Sequence, residues 1–344
     1  MTRYLLFCSA IVVWASSLWF VSPLGAEGIG MVTGSGTGTY IQFGQDIAKV
    51  AQSAGLDILV KESEGSIDNI RRLVSTENAA LGIVQSDVLG FLSRSPDPQV
   101  RRIASRLRLV FPFYNEEVHL LARKEIRRFE DLAGKRVVVG TKGSGNWLTS
   151  NNLLRMINIR PAERIELLPP EGASAVLGGE ADAMVYVAGK PVKLFTTFRE
   201  LQNHPQYGPL VEAVHFVPLK HESMLQEYVA TTIAPDDYEW LSEAIPTVAV
   251  KAVLISFDFS GQSTSYSQKR CKQLAKLGRV VRENFAELQR AGHPKWKEVK
   301  LDQELELWKR DACSQLAKPE PAKEPEEDLV TVLTEILKGK RPLR

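Results

Sequence analysis

The chain has 344 residues and a formal net charge of +2 at pH 7, room for two medium domains or one large one. A charge this close to balance does not call for a nucleic-acid partner. The basic clusters Arg101, Arg102, Arg106, Arg108 and Arg123, Lys124, Arg127, Arg128 read as solvated faces, because no aromatic stripe accompanies them. The histidines are scattered, with no HExxH and no tight pair, so neither a metal nor a cofactor is expected.

Residues 1–26 read as a signal segment. Arg3 gives a positive start, Tyr4 to Val21 is almost wholly apolar, and Ser22-Pro23-Leu24-Gly25-Ala26 offers a cleavage point after Ala26. The apolar run exceeds the ~7–15 residues usual for a signal core, so an uncleaved anchor is the alternative. Cys8 lacks the preceding small residue of a lipoprotein signal. Export to the periplasm places Cys271 and Cys313 in an oxidising compartment, where a disulfide is expected in preference to two free thiols.

Ile29 to Val32 predicts a strand. Thr33-Gly34-Ser35-Gly36-Thr37-Gly38-Thr39-Tyr40 follows, and Phe43, Ile47, Val50, Ala51 and Ala54 then recur at helical spacing. A glycine-rich turn entering a helix presents free N–H groups and the positive end of the helix dipole, which suits an anion. Asp57 to Glu62 predicts a second strand, and Ile67, Ile70, Leu73 and Val74 a helix with Ser66 as its N-cap. Leu81 to Val84 reads as a buried strand running into Gln85-Ser86-Asp87 at its carboxyl end, the edge where open α/β sheets hold ligands.

Ile103 to Phe113 and Val118 to Ala122 are rich in strand formers, and the polar Tyr114-Asn115-Glu116-Glu117 between them marks a first crossing between lobes. The glycine device then repeats. Arg136 to Gly140 predicts a strand, Thr141-Lys142-Gly143-Ser144-Gly145-Asn146 a turn, and Trp147, Leu148, Leu153, Leu154 and Ile157 a helix. The two loops are expected to face each other across a cleft, with Tyr40 and Trp147 covering the apolar part of one small anionic solute. Further strands are predicted over 165–168 and 183–187, a short helix over 173–177, and a return crossing over 228–233. A central strand over 247–257 and amphipathic helices over 269–289 and 304–316 complete the pattern. Lys318 to Asp328 is a Pro-, Glu- and Lys-rich linker, with one more helix expected over 329–337. Strand–helix alternation predicts a mostly parallel sheet in each lobe.

Catalytic signatures are missing: there is no GxxxxGK[ST], no GxGxxG and no GxSxG. Lys142 and Lys190 are the nearest candidates for an enzyme, and donors plus aromatics without acid–base pairs favour holding a molecule over changing it.

T-G-S-G-T-G-T-Y at 33–40, E-G-S-I-D-N at 64–69, L-G-I-V-Q-S-D-V at 81–88, F-E-D-L-A-G-K-R-V at 129–137, G-S-G at 143–145 and A-D-A-M-V-Y-V-A-G at 181–189 resemble the TAXI solute-binding proteins of tripartite ATP-independent periplasmic (TRAP) transporters. The resemblance implies an α/β, two-lobe, type II periplasmic-binding-protein fold with a central cleft and hinge. Lobe I would comprise 27–113 and 231–314, lobe II 114–230, and 315–344 a tail. It implies a monomeric receptor that captures a small carboxylate or a glutamate-like amino acid and delivers it to TRAP membrane permease subunits. A sensor subunit of the same fold is the alternative. Contacts would come from Ser35, Thr37, Gly38, Thr39, Tyr40, Ser66, Gln85, Ser86 and Asp87 on one lobe, and from Gly143, Ser144, Gly145, Val187 and Gly189 on the other. Asp87 could meet a ligand ammonium. Asn146 and Trp147 depart from the family pattern, and the indole would narrow the pocket.

Overall fold

A computed structural model describes residues 28–36, 38–75, 79–261 and 263–316. The expected signal segment, Thr37, the linker and the last expected helix lie outside the described residues. The helices are α1 (Thr39–Ser53), α2 (Ser66–Val74), α3 (Val88–Ser93), α4 (Pro98–Arg106), α5 (Gly145–Met156), α6 (Pro169–Gly178), α7 (Lys193–Thr196), α8 (Phe198–Gln202), α9 (Gly208–Glu212), α10 (Ser265–Glu283), α11 (Phe285–Ala291) and α12 (Ala312–Gln315). The strands are β1 (Ile29–Val32), β2 (Ile58–Lys61), β3 (Ala79–Gln85), β4 (Leu107–Arg123), β5 (Arg136–Val138), β6 (Glu163–Ile165), β7 (Ala183–Ala188), β8 (Val214–Phe216), β9 (Val229–Ile233) and β10 (Ile245–Phe257).

These strands join in the order β2-β1-β3-β10-β4-β7-β5-β6, with β8 beside β4 and β9 beside β10. The fold is mixed α/β with two lobes. The mostly parallel sheet expected in each lobe is parallel in β2-β1-β3 and β7-β5-β6. Between them, β4 and β10 run antiparallel to each other and to β3 and β7. The two long strands thread both halves, and each half buries apolar side chains on both faces of its part of the sheet. Phe43, Phe113 and Trp296 lie under one face of the first half and Val84, Val253 and Trp308 under the other. The second half does the same with Val118, Val185 and Val250, and with Val138, Phe195 and Phe216.

Four stretches differ from expectation. Ile103 to Arg106 closes α4, which Asp97 caps by accepting from the Gln99 N–H at 2.8 Å, with Pro98 in the first turn. Tyr114–Glu117 does not break the strand. β4 runs through it because β10 supplies the ladder, Asn115 opposite Lys251 and Glu117 opposite Ala249, while Glu117 accepts from the Lys190 N–H at 2.9 Å. The return to the first half runs along β10 and not over 228–233, since Ile233 and Tyr238 are buried with the second half's Phe195 and Phe216. Finally, only Ala312–Gln315 of 304–316 is helical. The stretch before it adds to the edge of β4, Leu109 bonding to Lys309 and Asp311, and buries Trp308.

Cys271 and Cys313 are disulfide-bonded, joining α10 to α12 with their Cα atoms 5.1 Å apart. No helix among the described residues is long and apolar enough to cross a membrane.

Candidate functional site

A cavity of about 410 Å³ opens between the two halves. Its first wall comes from the glycine loop and the starts of two helices: Gly34, Ser35, Gly38, Thr39, Tyr40, Gly65 and Ser66, with Gln85 from the end of β3. The opposite wall is Gly145 and Asn146 at the start of α5, the carboxyl end of β7 from Tyr186 to Gly189, and Pro191 to Lys193. Tyr114 and Glu116 of β4 complete the lining.

Three helices of 15, 9 and 12 residues therefore begin on one hollow. The first N–H groups of a helix have no partner within it, and neither α1 nor α2 has a side-chain cap. Gly65, at φ +113°, holds a backbone conformation that side chains rarely adopt, and it starts α2 one residue earlier than expected. Ser66 is thus the first helical residue and not the N-cap. Its hydroxyl accepts the N–H of Gln85 at 3.0 Å, fixing the tip of β3 against α2. Asn69 ties the same corner from below, donating to the carbonyls of Thr33 and Ile83, both at 2.6 Å.

The structure brings together Ser35, Gly38, Thr39, Tyr40, Ser66, Gln85, Gly145, Asn146, Val187 and Gly189 of the expected set. The other described members of the set serve different ends. Ser86 turns away from the cavity: its N–H donates to the Lys251 carbonyl, its hydroxyl accepts from the Lys251 N–H, and its carbonyl accepts from Trp308 Nε1. Asp87 is buried outside the cavity and bridges the halves. Its Oδ2 accepts from Tyr228 at 2.7 Å and Thr149 at 2.8 Å, while Oδ1 is buried with no hydrogen-bond partner, and neither oxygen lines the cavity where a ligand ammonium would sit. Burial pushes its carboxyl up to about 6 despite these donors. Trp147 does not narrow the pocket. Its ring packs edge-on against Phe91, between the apolar clusters of the two halves. Gly143 and Ser144 shape the turn without lining the hollow. Asn146 lines it, yet spends its side chain on β7, donating to the Val185 carbonyl and accepting the Val187 N–H at 2.7 Å.

Ser144 caps α5, its hydroxyl accepting from the Trp147 N–H at 3.1 Å and donating to the Thr141 carbonyl at 2.7 Å. Ser144→Ala is expected to cost about 1 kcal/mol, read as a Tm lowered by roughly 1–2 °C; an unchanged Tm would mean the cap contributes nothing.

Sequence reasoning missed Glu116. Its carboxylate is 7 % exposed and faces the cavity. Tyr40 donates to Oε2 at 2.9 Å and Tyr114 approaches Oε1 at 3.4 Å. Burial lifts its pKa to about 7, against the opposing pull of the Tyr40 and Gln85 hydrogen bonds. Both tyrosine hydroxyls are in turn held well above their usual range, first by burial and then by Glu116. A signal was present in the polar run Tyr114–Glu117 inside an apolar strand, where a buried carboxylate needs a reason.

Of the candidate lysines, Lys190 is engaged in an ion pair with Asp237 at 2.8 Å, and Lys142 is exposed. His119 is wholly buried between Tyr238 and the Glu117 carbonyl, and burial depresses it to about 4, so it stays neutral.

Among solved structures, the chain is similar to SsuA, a periplasmic sulfonate-binding protein from Methylobacillus flagellatus KT, at 10 % identity over 78 % of this chain and 70 % of that one, with a TM-score of 0.43. It is also similar to MatC from Rhodopseudomonas palustris with bound malate, at 13 % identity over 91 % and 96 %, with a TM-score of 0.45. No curated protein sequence matches it. The NMT1-like family model matches residues 31–307, and the chain belongs to that family.

Proposed function

We propose that the protein is an extracytoplasmic receptor that captures a small carboxylate-bearing solute between its lobes and presents it to a TRAP-type membrane permease. The observation that carries this reading is the convergence of three helix N-termini on one inter-lobe cavity of about 410 Å³. Each N-terminus supplies N–H donors and the positive end of a dipole. The volume suits a metabolite-sized molecule. The solute's carboxylate would be met by N–H groups at Thr39, Tyr40, Ser66 and Gly145, with the Ser35 and Thr39 hydroxyls beside them. Charge-assisted bonds of this kind contribute about 1.5–3 kcal/mol each.

Closure follows from the same layout. Donors on both walls are satisfied together only when one molecule bridges them, so the solute shifts an open–closed equilibrium. We place the hinge in β4 and β10, the two strands that run through both halves. Delivery to a permease and the TAXI subtype rest on the sequence motifs.

Mass spectrometry of the small molecules released from the purified, then denatured, protein tests the reading. A thermal-shift panel of carboxylates and amino acids accompanies it. A stoichiometric carboxylate, raising Tm when added back, is the expected result. A released molecule lacking any anionic group, with no carboxylate in the panel shifting Tm, would overturn it.

A further inference from the structure

We propose that Glu116 selects the solute by receiving a protonated amine on it, so that the cavity prefers a carboxylate carrying an ammonium group to a dicarboxylate. This rests on the carboxylate-capture reading above and adds the second contact point. Buried carboxylates are normally paired with a cation. Glu116 lines the cavity, is 7 % exposed and has only neutral donors around it. Those donors are the hydroxyls of Tyr40 on α1 and Tyr114 on its own strand, and the amide of Gln85 on β3. No described ion pair includes Glu116. Among the described lining residues the one cationic side chain, Lys193, is exposed.

The remaining neighbours do not supply the missing charge. Tyr186 on β7 lines the same hollow, and Glu117, next along β4, repels Glu116. On β10, Val250 pairs with Glu116, and Lys251 beyond it interacts with Glu298 and Glu117. Both oxygens of Glu116 already face hydroxyl donors, an arrangement that favours the ionised form over one that must itself donate. The cation is therefore the part that the solute brings. With one end of the molecule held by the helix starts and the other by Glu116, a second carboxylate would face a carboxylate.

The sign of the pH dependence separates the two. With Glu116 at about 7 in the empty site, an ammonium pulls its pKa down. Binding then releases a proton below neutrality, and affinity rises from pH 6 to pH 8 by roughly tenfold, as the ionised fraction does. A second carboxylate would reverse both signs. The test is calorimetric titration of the mature protein at pH 6, 7 and 8 with matched probes, L-glutamate against glutarate and L-leucine against 4-methylpentanoate. The expected result is at least tenfold tighter binding of the amine member of any pair that binds, with affinity rising with pH. Glu116→Gln should erase both the preference and the slope. Equal binding within a pair, or a dicarboxylate that binds more tightly as pH falls, overturns the proposal while leaving carboxylate capture standing. Failure of every probe to bind would defeat both. The wild-type pH series stands by itself if the variant does not fold.

Discussion

Gly145→Val is expected to lower solute affinity at least 100-fold, about 2.8 kcal/mol, without unfolding the protein. Gly145 opens α5 and lies against Gln85 and Ser66 of the first half. A Cβ there would stand 2.2 Å from Gln85 Oε1, 2.6 Å from its Cδ and 3.1 Å from Ser66 Oγ. Gln85 is 3 % exposed and accepts from Thr149, so it has little room to move aside. The cheapest relief is for the halves to part. Parting withdraws one wall of donors from the solute, and it also draws Leu148 and Trp147 of α5 from the first half's apolar cluster while most of each cluster stays in place. Circular dichroism without solute should stay close to wild type and Tm should fall by only a few degrees, while calorimetry shows the loss. Lys142→Ala, at an exposed position in the same loop, serves as the control. Wild-type affinity in the valine variant would show that the two walls do not need to meet.

Replacing Cys271 and Cys313 together with alanine should cost about 4 kcal/mol on the loop-entropy estimate for the bridged separation of 42 residues. For a chain of this size that is a Tm drop of roughly 6 °C. The bond staples α12 to α10, where Gly278 lies so near the Ser314 carbonyl that a Cβ would be 2.3 Å from it. Neither helix contributes to the cavity lining, so solute affinity should be unchanged. The same Tm with and without reductant would sink this prediction.

The elements best read from sequence were those whose signals are local. The two glycine loops, the apolar run of β3 and the small-residue carboxyl end of β7 each carry their geometry in a few adjacent residues, and Gly34, Ser35, Gly38, Gln85, Gly145, Asn146 and Val187 to Gly189 from these stretches lie on one cavity. The Asp97-Pro98 start of α4 was equally local, a cap followed by proline, but the strand formers after Ile103 obscured it. What was not legible depends on partners distant in the chain. Glu116 reads as a polar break until Tyr40 and β10 are beside it. Asp87 reads as a ligand contact until Tyr228 and Thr149 are found on its Oδ2, outside the cavity lining. Trp147 reads as a pocket wall until Phe91 is found against its ring.

The place of β10 in the sheet bears on how the chain acquires its shape. β3, wholly buried from Ala79 to Gln85, has β1 on one side, but its other edge is covered only by residues 252–255 of β10, about half the chain length later. Until those residues arrive, an apolar strand with unpaired amides stays open to other molecules, the condition that favours aggregation. Renaturation from denaturant should therefore be slow, and its yield should fall as protein concentration rises.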